Sequence, residues 1–285
     1  MILFHNINGE LVDANKARIM VHDLGLLRGY GIFDFFPVRD GKALFEEDYF
    51  NRFYRSADLM NLEVPVSRAD LSERVRDLSV KNGITSGYVK LVLTGGNAID
   101  GFTPGINNLY ILQHPDIPQV ADQYENGVIL LFQRYLKDQP QIKTLNYSNA
   151  LVHRHILQAN NALDILYHDG RYIRETSRAN FFIVDQENQI HTSLDYVLSG
   201  ITRKHVISVI KAAGLIVQEA PLPIHRILNA AECFITSTTK GILPVIRIGT
   251  FQIGDGKAGE VSKALQKKYM AYCEVLVQKA SNTIR

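Results

Sequence analysis

Lys143 is the lone charged residue of 141-QIKTLNYSNALV-152, a segment that runs into a helical pattern. A lysine with few cationic neighbours, desolvated by apolar ones, loses affinity for its proton and can form a Schiff base with a carbonyl group. Further along, 171-RYIRETSRANFFIVD-185 sets Glu175 and Arg178 at the mouth of an apolar run. Each charge needs a partner if it is buried there, and a protonated pyridine nitrogen would serve for Glu175. A third segment, 198-LSGITRKHVI-207, leads through Gly200, Ile201 and Thr202 into a helix start, where free N–H groups and the helix dipole favour a phosphate. A fourth, 235-ITSTTKGILPV-245, gathers hydroxyls after a strand, with Ser237 and Thr238 as a second phosphate wall. Singly, each segment is better read as a solvated lysine, a helix cap or an ordinary turn. Jointly they share one theme, the binding of a phosphorylated aromatic aldehyde.

Other chemistry lacks its residues. The glycine pair of 28-RGYGIF-33 has no third glycine for a dinucleotide fingerprint, and 94-TGGNAIDG-101 and 254-GDGKAG-259 are not phosphate loops of the GxxxxGK[ST] kind. No HExxH or GxSxG motif occurs. His153 and His155 lie two positions apart on different sides of an expected helix, as surface or edge residues, so no metal site is expected. Thirty-one basic against 29 acidic side chains give +2, scattered along the chain, which argues against nucleic acid or an anionic membrane as partner. Two distant cysteines suit a reducing cytoplasm, and the polar Asn6, Asn8 and Glu10 come too early for a signal peptide. No apolar run reaches membrane-spanning length.

The elements that must position these residues follow from period and punctuation. Hairpins are expected at 2-ILFH-5/10-ELVDA-14, turning at Asn8-Gly9, and at 32-IFDFFPV-38/42-KALFE-46. Helical spacing covers 47–62, and the Ser67 to Asp70 cap starts a second helix. Strands are expected at 88–94 and 109–113. The prolines of 114-HPDIPQVADQ-123 mark a boundary, giving residues 1–116 as a smaller N-terminal α/β domain, 117–122 as a linker and 123–285 as a larger C-terminal domain. Beyond it we expect a strand at Val128 to Phe132 and a helix at Asn149 to Ala162. A hairpin from Leu163 to Val184, a helix from Thr202 ending at Gly214, strands near 215–220 and 232–237, and a helix from Gly259 to Val277 complete the pattern. The fold class is α/β, with an α+β first half and a mixed α/β second half.

The order and spacing of Lys143, Glu175, the Gly200-Ile201-Thr202 start and Ser237-Thr238-Thr239 closely resemble the fold-type IV, pyridoxal-phosphate-dependent class IV aminotransferases. That family includes D-amino-acid aminotransferases, branched-chain aminotransferases and aminodeoxychorismate lyases. The resemblance covers nearly the whole chain, including 253-IGDGKAGEVSKALQKKY-269. It implies a larger C-terminal domain that binds pyridoxal 5'-phosphate, and a homodimer with its active sites at the subunit interface. It makes Lys143 the residue that bonds the cofactor and later shuttles the proton, and Glu175 the partner of the pyridine nitrogen. Arg52, in 49-YFNRFYRSADLM-60, would bind phosphate, with Tyr49 where the family commonly has histidine. Tyr147 would lie near the cofactor's phenolic oxygen. The reaction implied moves an amino group between an amino acid and a 2-oxo acid such as 2-oxoglutarate in a ping-pong cycle.

The familiar carboxylate binders are missing. The segment 94-TGGNAIDGF-102 holds no arginine-x-histidine pair, 32-IFDFFP-37 replaces the branched-chain V-F-E-G-I-R motif, and Asp34 stands where a lyase would carry threonine. A substrate carboxylate still needs a cation, preferably arginine. Arg28, expected from the neighbouring subunit, and Arg178 are therefore read as a clamp lined by Phe33 and assisted by Lys90. The alternative for Arg28 is an ion pair with Asp23 or Asp34. The segments 141-IKTLN-145 and 235-ITSTTKGILPV-245 resemble the D-enzymes, so D-amino acids such as D-glutamate or D-alanine are the expected donors. An L-branched-chain aminotransferase is the alternative, suggested by Phe33, followed by a lyase or a non-catalytic protein on the same fold.

Overall fold

The computed structural model describes residues 2–282. Two compact units are present: one holds the chain up to Pro118, Ile142–Asn146 and the chain end from Leu276, and the other holds Gln119–Gln141 and Tyr147–Val275. Each unit thus draws on separated segments of sequence.

In the first unit, Asn8 and Gly9 take positive φ of 53° and 97°, the conformation a two-residue hairpin demands. They join strands β1 (Phe4–Ile7) and β2 (Glu10–Asp13). A five-residue helix, α1 (Leu24–Arg28), follows; it is too short to show a period in sequence. Asp23 caps it through the Gly25 amide, and Gly29 ends it at φ 63°. Next come β3 (Gly31–Arg39), β4 (Lys42–Ala43), helices α2 (Glu46–Leu59) and α3 (Arg68–Lys81), β5 (Ser86–Thr94) and β6 (Asn108–Pro115). Ser67 caps α3 by accepting from the Asp70 amide. The sheet order is β2-β1-β6-β5-β3-β4. Ile32, Asp34, Phe36 and Val38 alternate onto the face that α2 packs against, with Phe50, Phe53 and Ala57 buried from the helix. Phe33, Phe35, Lys90 and Val92 lie on the opposite face, which carries an apolar groove of about 380 Å³ lined in part by Ile7, Ile19, Leu26, Leu112 and Leu145.

The second unit opens with α4 (Ala121–Asn126), whose first two residues fall in the stretch 117–122 read as a linker, and β7 (Val128–Arg134). The single helix expected at Asn149 to Ala162 is two short ones, α5 (Ser148–Val152) and α6 (Arg154–Ala159). The ladder breaks at His153, whose Nδ1 bonds the Asn149 carbonyl while its Nε2 meets Gln133. Strands β8 (Asp164–His168), β9 (Tyr172–Thr176), β10 (Asn180–Val184) and β11 (Ile190–Thr192) follow. Then come α7 (Ile201–Ala212), β12 (Val217–Glu219), β13 (Leu222–Pro223), a 3-10 turn at Ile224–Asn229, β14 (Glu232–Ser237), β15 (Gly241–Ile248), β16 (Phe251–Gln252) and α8 (Glu260–Asn282). Strand β15 was not expected from the sequence; it tolerates Pro244 since it pairs with β7 only from Val245 onward.

The order β12-β11-β10-β14-β15-β7-β8-β9-β13 explains the apolar run after Glu175. Consecutive strands β9 and β10 are separated along the bonded path by β14, β15, β7 and β8, so the sheet curls back on itself. Strand β10 is buried on both faces: Phe181 and Ile183 join one core with Leu130, Leu166 and Leu243, while Phe182 and Val184 pack with Val206, Ile210 and Leu265 of α7 and α8. A strand covered on both sides reads as continuous hydrophobicity rather than alternation. This also corrects the Leu163 to Val184 hairpin: β8 and β9 pair across Asp169-Gly170, but β10 pairs with β11 and β14.

The β8–β9 turn is fastened by charge. Asp169 accepts from the amides of Arg171 and Tyr172 and from Arg174 Nη2. Burial opposes its charge, but those bonds outweigh it and hold the carboxyl down at about 2. A carboxyl depressed on folding contributes stability that is present above its ordinary value of 3.8 and lost as pH falls toward 2. Asp169→Asn should therefore flatten the dependence of the denaturant midpoint on pH between about 5 and 2. A slope equal to the wild type's over that window would contradict this assignment.

Candidate active site

The segment carrying Lys143 is clipped to the start of β3. The Phe33 amide donates to the Lys143 carbonyl at 2.9 Å, the Leu145 amide donates to the Gly31 carbonyl at 3.0 Å, and Ile32 bridges Thr144. Gly31 makes the approach possible: a Cβ there would lie 2.6 Å from the Leu93 carbonyl and 2.8 Å from Leu145 Cδ1. The structure so gives a role to a glycine that sequence reading had set aside. Lys143 Nζ lies 4.6 Å from the centre of the Phe33 ring and Lys90 Nζ 4.8 Å from it, so two ammonium groups share one aromatic side chain. Burial lowers the proton affinity of Lys90.

Arg52 projects from α2 onto Asp34, with Nε–Oδ2 at 2.9 Å and Nη2–Oδ1 at 2.6 Å. Both side chains are nearly buried, and the guanidinium lies 5.3 Å from the ring centre of Tyr49. Tyr49, the departure from the family's histidine, thus serves as a floor for Arg52. Within the chain, Arg28 pairs with neither Asp23 nor Asp34 among the described residues. Asp34 is taken by Arg52, and Asp23 accepts from Thr94 Oγ1, Asn108 Nδ2 and Tyr110 Oη. Arg28 is exposed and donates from Nε to the Gly101 carbonyl at 3.1 Å.

In the second unit, Glu175 is buried to 3% exposure at the end of β9 and is bonded on both oxygens. Lys137 Nζ donates to Oε1 at 2.7 Å, while the Leu198 amide at 2.9 Å and Asn180 Nδ2 at 3.2 Å donate to Oε2. Sequence reading missed Lys137. The signal was available in the demand of a buried Glu175 for a cation, but nothing local singles out this lysine. Asn180 also donates to the Leu198 carbonyl, tying the carboxylate to the segment that enters α7. Gly200 is required there, since a Cβ would stand 2.0 Å from Asn180 Oδ1. It is the N-cap of α7, with Ile201 and Thr202 in the first turn and no side-chain cap, so the first-turn amides stay open to an anion.

The turn between β9 and β10 is built on Asp164, itself buried. It accepts from Thr176 Oγ1 at 3.0 Å and Ser177 Oγ at 2.5 Å, and Arg178 Nε lies 3.8 Å away. The Arg178 side chain remains 60% exposed. Lys240 lies in the same field: burial first, then Arg178, lower its proton affinity against the pull of Asp164. Ser237 and Thr238 begin the turn from β14 into β15. Beside them, Thr236 Oγ1 is buried without a hydrogen-bond partner among the described residues, across the ladder from Asn180. Tyr147 precedes α5, half-buried, its carbonyl accepting from the Leu151 amide. Among the described residues no group of three His, Cys, Asp or Glu could hold a metal ion, and no helix is long and apolar enough to cross a membrane.

The chain is similar over most of its length to known proteins. Residues 31–248 match the family model of the amino-transferases class IV. A Methanocaldococcus jannaschii protein named as a branched-chain-amino-acid aminotransferase is 31% identical over 273 residues, 92% of this chain and 94% of that protein. A D-alanine aminotransferase of Staphylococcus haemolyticus is 29% identical over 275 residues, 94% of this chain and 97% of that protein. A solved branched-chain amino acid aminotransferase from T.th., with pyridoxamine 5'-phosphate, matches with a TM-score of 0.87 at 23% identity, covering 96% of this chain and 94% of that one. The architecture is that of the fold-type IV enzymes. With Lys143, Glu175 and the α7 start all inside the matched span, the chain belongs to the class IV aminotransferases.

Proposed function

We propose that the chain is a pyridoxal-5'-phosphate-dependent transaminase that moves the amino group of a D-amino acid, such as D-glutamate or D-alanine, to a 2-oxo acid such as 2-oxoglutarate. The observation that carries the cofactor dependence is Glu175, an anion held out of water on both oxygens at the end of β9. The residues present fit the cofactor. The α7 amides and the hydroxyls of Ser237 and Thr238 suit its phosphate, the unpaired Thr236 hydroxyl lies in the same strand, and the carboxylate suits a protonated pyridine. Arg52 adds a guanidinium shared with Asp34, and Tyr147 a phenol for the ring's oxygen.

When bound, pyridoxal phosphate supplies an electron sink for the bonds at the substrate Cα. Lys143 Nζ takes the Cα proton and returns it on the other side of the exchange, acting as general base and then acid. Glu175 would accept a hydrogen bond from a pyridine N–H and so keep that nitrogen protonated. Arg28 and Arg178 orient the substrate through its carboxylate, with Phe33 as an apolar wall and Lys90 adding positive charge. The exposed side chain of Arg178 supports this role. The enzyme works in the cytoplasm and as a homodimer; the dimer is supported by the apolar groove of the first unit, which Leu26 lines, and by the exposed Met20 and Val21. The second reading, an L-branched-chain aminotransferase, rests on the archaeal relative and on Phe33.

Borohydride treatment of the cofactor-loaded protein should fix the cofactor to the peptide containing Lys143, read by mass spectrometry, and Lys143→Ala should carry no adduct; an adduct on another lysine would sink the assignment. A panel of D- and L-amino acids with 2-oxoglutarate decides the stereochemistry: turnover with D-glutamate or D-alanine is expected, and turnover confined to L-leucine, L-isoleucine and L-valine would establish the second reading. Arg178→Ile should raise the amino-acid KM by roughly tenfold or more while leaving cofactor binding intact; an unchanged KM would remove Arg178 from the clamp.

A further inference from the structure

Lys137 lies in the loop after β7, in none of the segments that point to the cofactor, yet its ammonium group is fully used. Nζ donates to Glu175 Oε1 at 2.7 Å and to the carbonyl oxygens of Thr176 at 3.3 Å and Ser177 at 3.2 Å. An ammonium has three N–H donors, so these contacts saturate it. An ionised carboxylate offers about four lone-pair positions. The Leu198 amide and Asn180 occupy two on Oε2, and Lys137 occupies one on Oε1. One acceptor position is left, on Oε1, with its direction set by the other three donors.

We propose that Lys137 is a positioning residue that anchors Oε1 of Glu175 and so presents the last acceptor position of the carboxylate to the pyridine nitrogen. This rests on the reading of Glu175 as the pyridine partner. Lys137 touches neither the ring nor the substrate; it acts through Glu175. Its charge answers that of the buried carboxylate before the cofactor arrives, and its bonds to two successive carbonyls hold the β9 end against the loop. Losing one partner of a buried, hydrogen-bonded pair leaves the other uncompensated. Glu175 would then turn toward whatever donors remain, away from the direction the pyridine needs.

The test is the affinity of the full chain, stripped of cofactor, for pyridoxal 5'-phosphate, followed by fluorescence titration. Lys137→Met and Lys137→Gln should each weaken binding by roughly tenfold or more, and Lys137→Arg, which keeps charge and donors, should restore it to within about threefold. In a Glu175→Gln background, Lys137→Met should change affinity by less than about twofold, because the group it acts through is gone. Glutamine still donates to the carbonyls, so wild-type affinity in Lys137→Gln would reduce Lys137 to a structural tie and overturn the proposal. Tighter binding in Lys137→Met, as expected of a cation the cofactor must displace, would also overturn it. So would a Lys137→Met effect that persists in the Glu175→Gln background. If Glu175→Gln alone binds the cofactor as the wild type does, the fault lies in the reading of Glu175 rather than in Lys137.

Discussion

A carboxylate taken out of water must be answered by donors, and in the second unit that demand falls on Glu175. Its three donors come from three stretches far apart in sequence: the loop after β7, the first residue of β10, and the segment entering α7. Removing a donor from a buried carboxylate leaves its charge under-compensated, which destabilises the fold. The glutamate therefore fixes where the β9 end lies relative to the α7 start. Gly200 follows from the same constraint, since Asn180 must pass where a side chain would otherwise stand.

The first unit meets its buried acids differently. Asp34 takes a two-point contact from Arg52, the strong geometry for a guanidinium and a carboxylate. Asp23 is answered by neutral donors from Thr94, Asn108 and Tyr110 and by the Gly25 amide. Its network joins the start of α1 to β5 and β6, and so fixes the base of the short helix that presents Arg28. Glu175 and Asp34 thus place their own binding partners, while Asp23 places a residue that it does not touch.

Much of this was legible beforehand. The Asn8-Gly9 turn, the Ser67 cap and the Gly214 stop carry their conformations in residue type, and each is found where expected. Strand β14 spans the same residues as its apolar run. The failures have local causes. His153 breaks a helix whose apolar spacing looks continuous, because its ring finds partners in Asn149 and Gln133. The hairpin assigned through Val184 failed because a strand buried on two faces shows no alternation that would reveal which strands it pairs with. That Gly200 leads into a helix and that Glu175 needs a donor were readable from residue type. Lys137 and the Asp34–Arg52 contact were not.

The sequence by itself determined which chemistry is possible: a nearly isolated lysine, a glutamate at a strand end, a glycine-led helix start and a run of hydroxyls, in the order of the class IV aminotransferases. It also determined the local conformations that single residue types impose. Only the tertiary structure decided the partners. Lys137 and Glu175 are 38 positions apart, and Thr94 and Asp23 are 71 apart. Residue type announces that a buried charge needs a donor, but a donor's identity depends on which chain segments the curled sheet and its neighbouring loops bring within hydrogen-bonding distance. No local pattern encodes that.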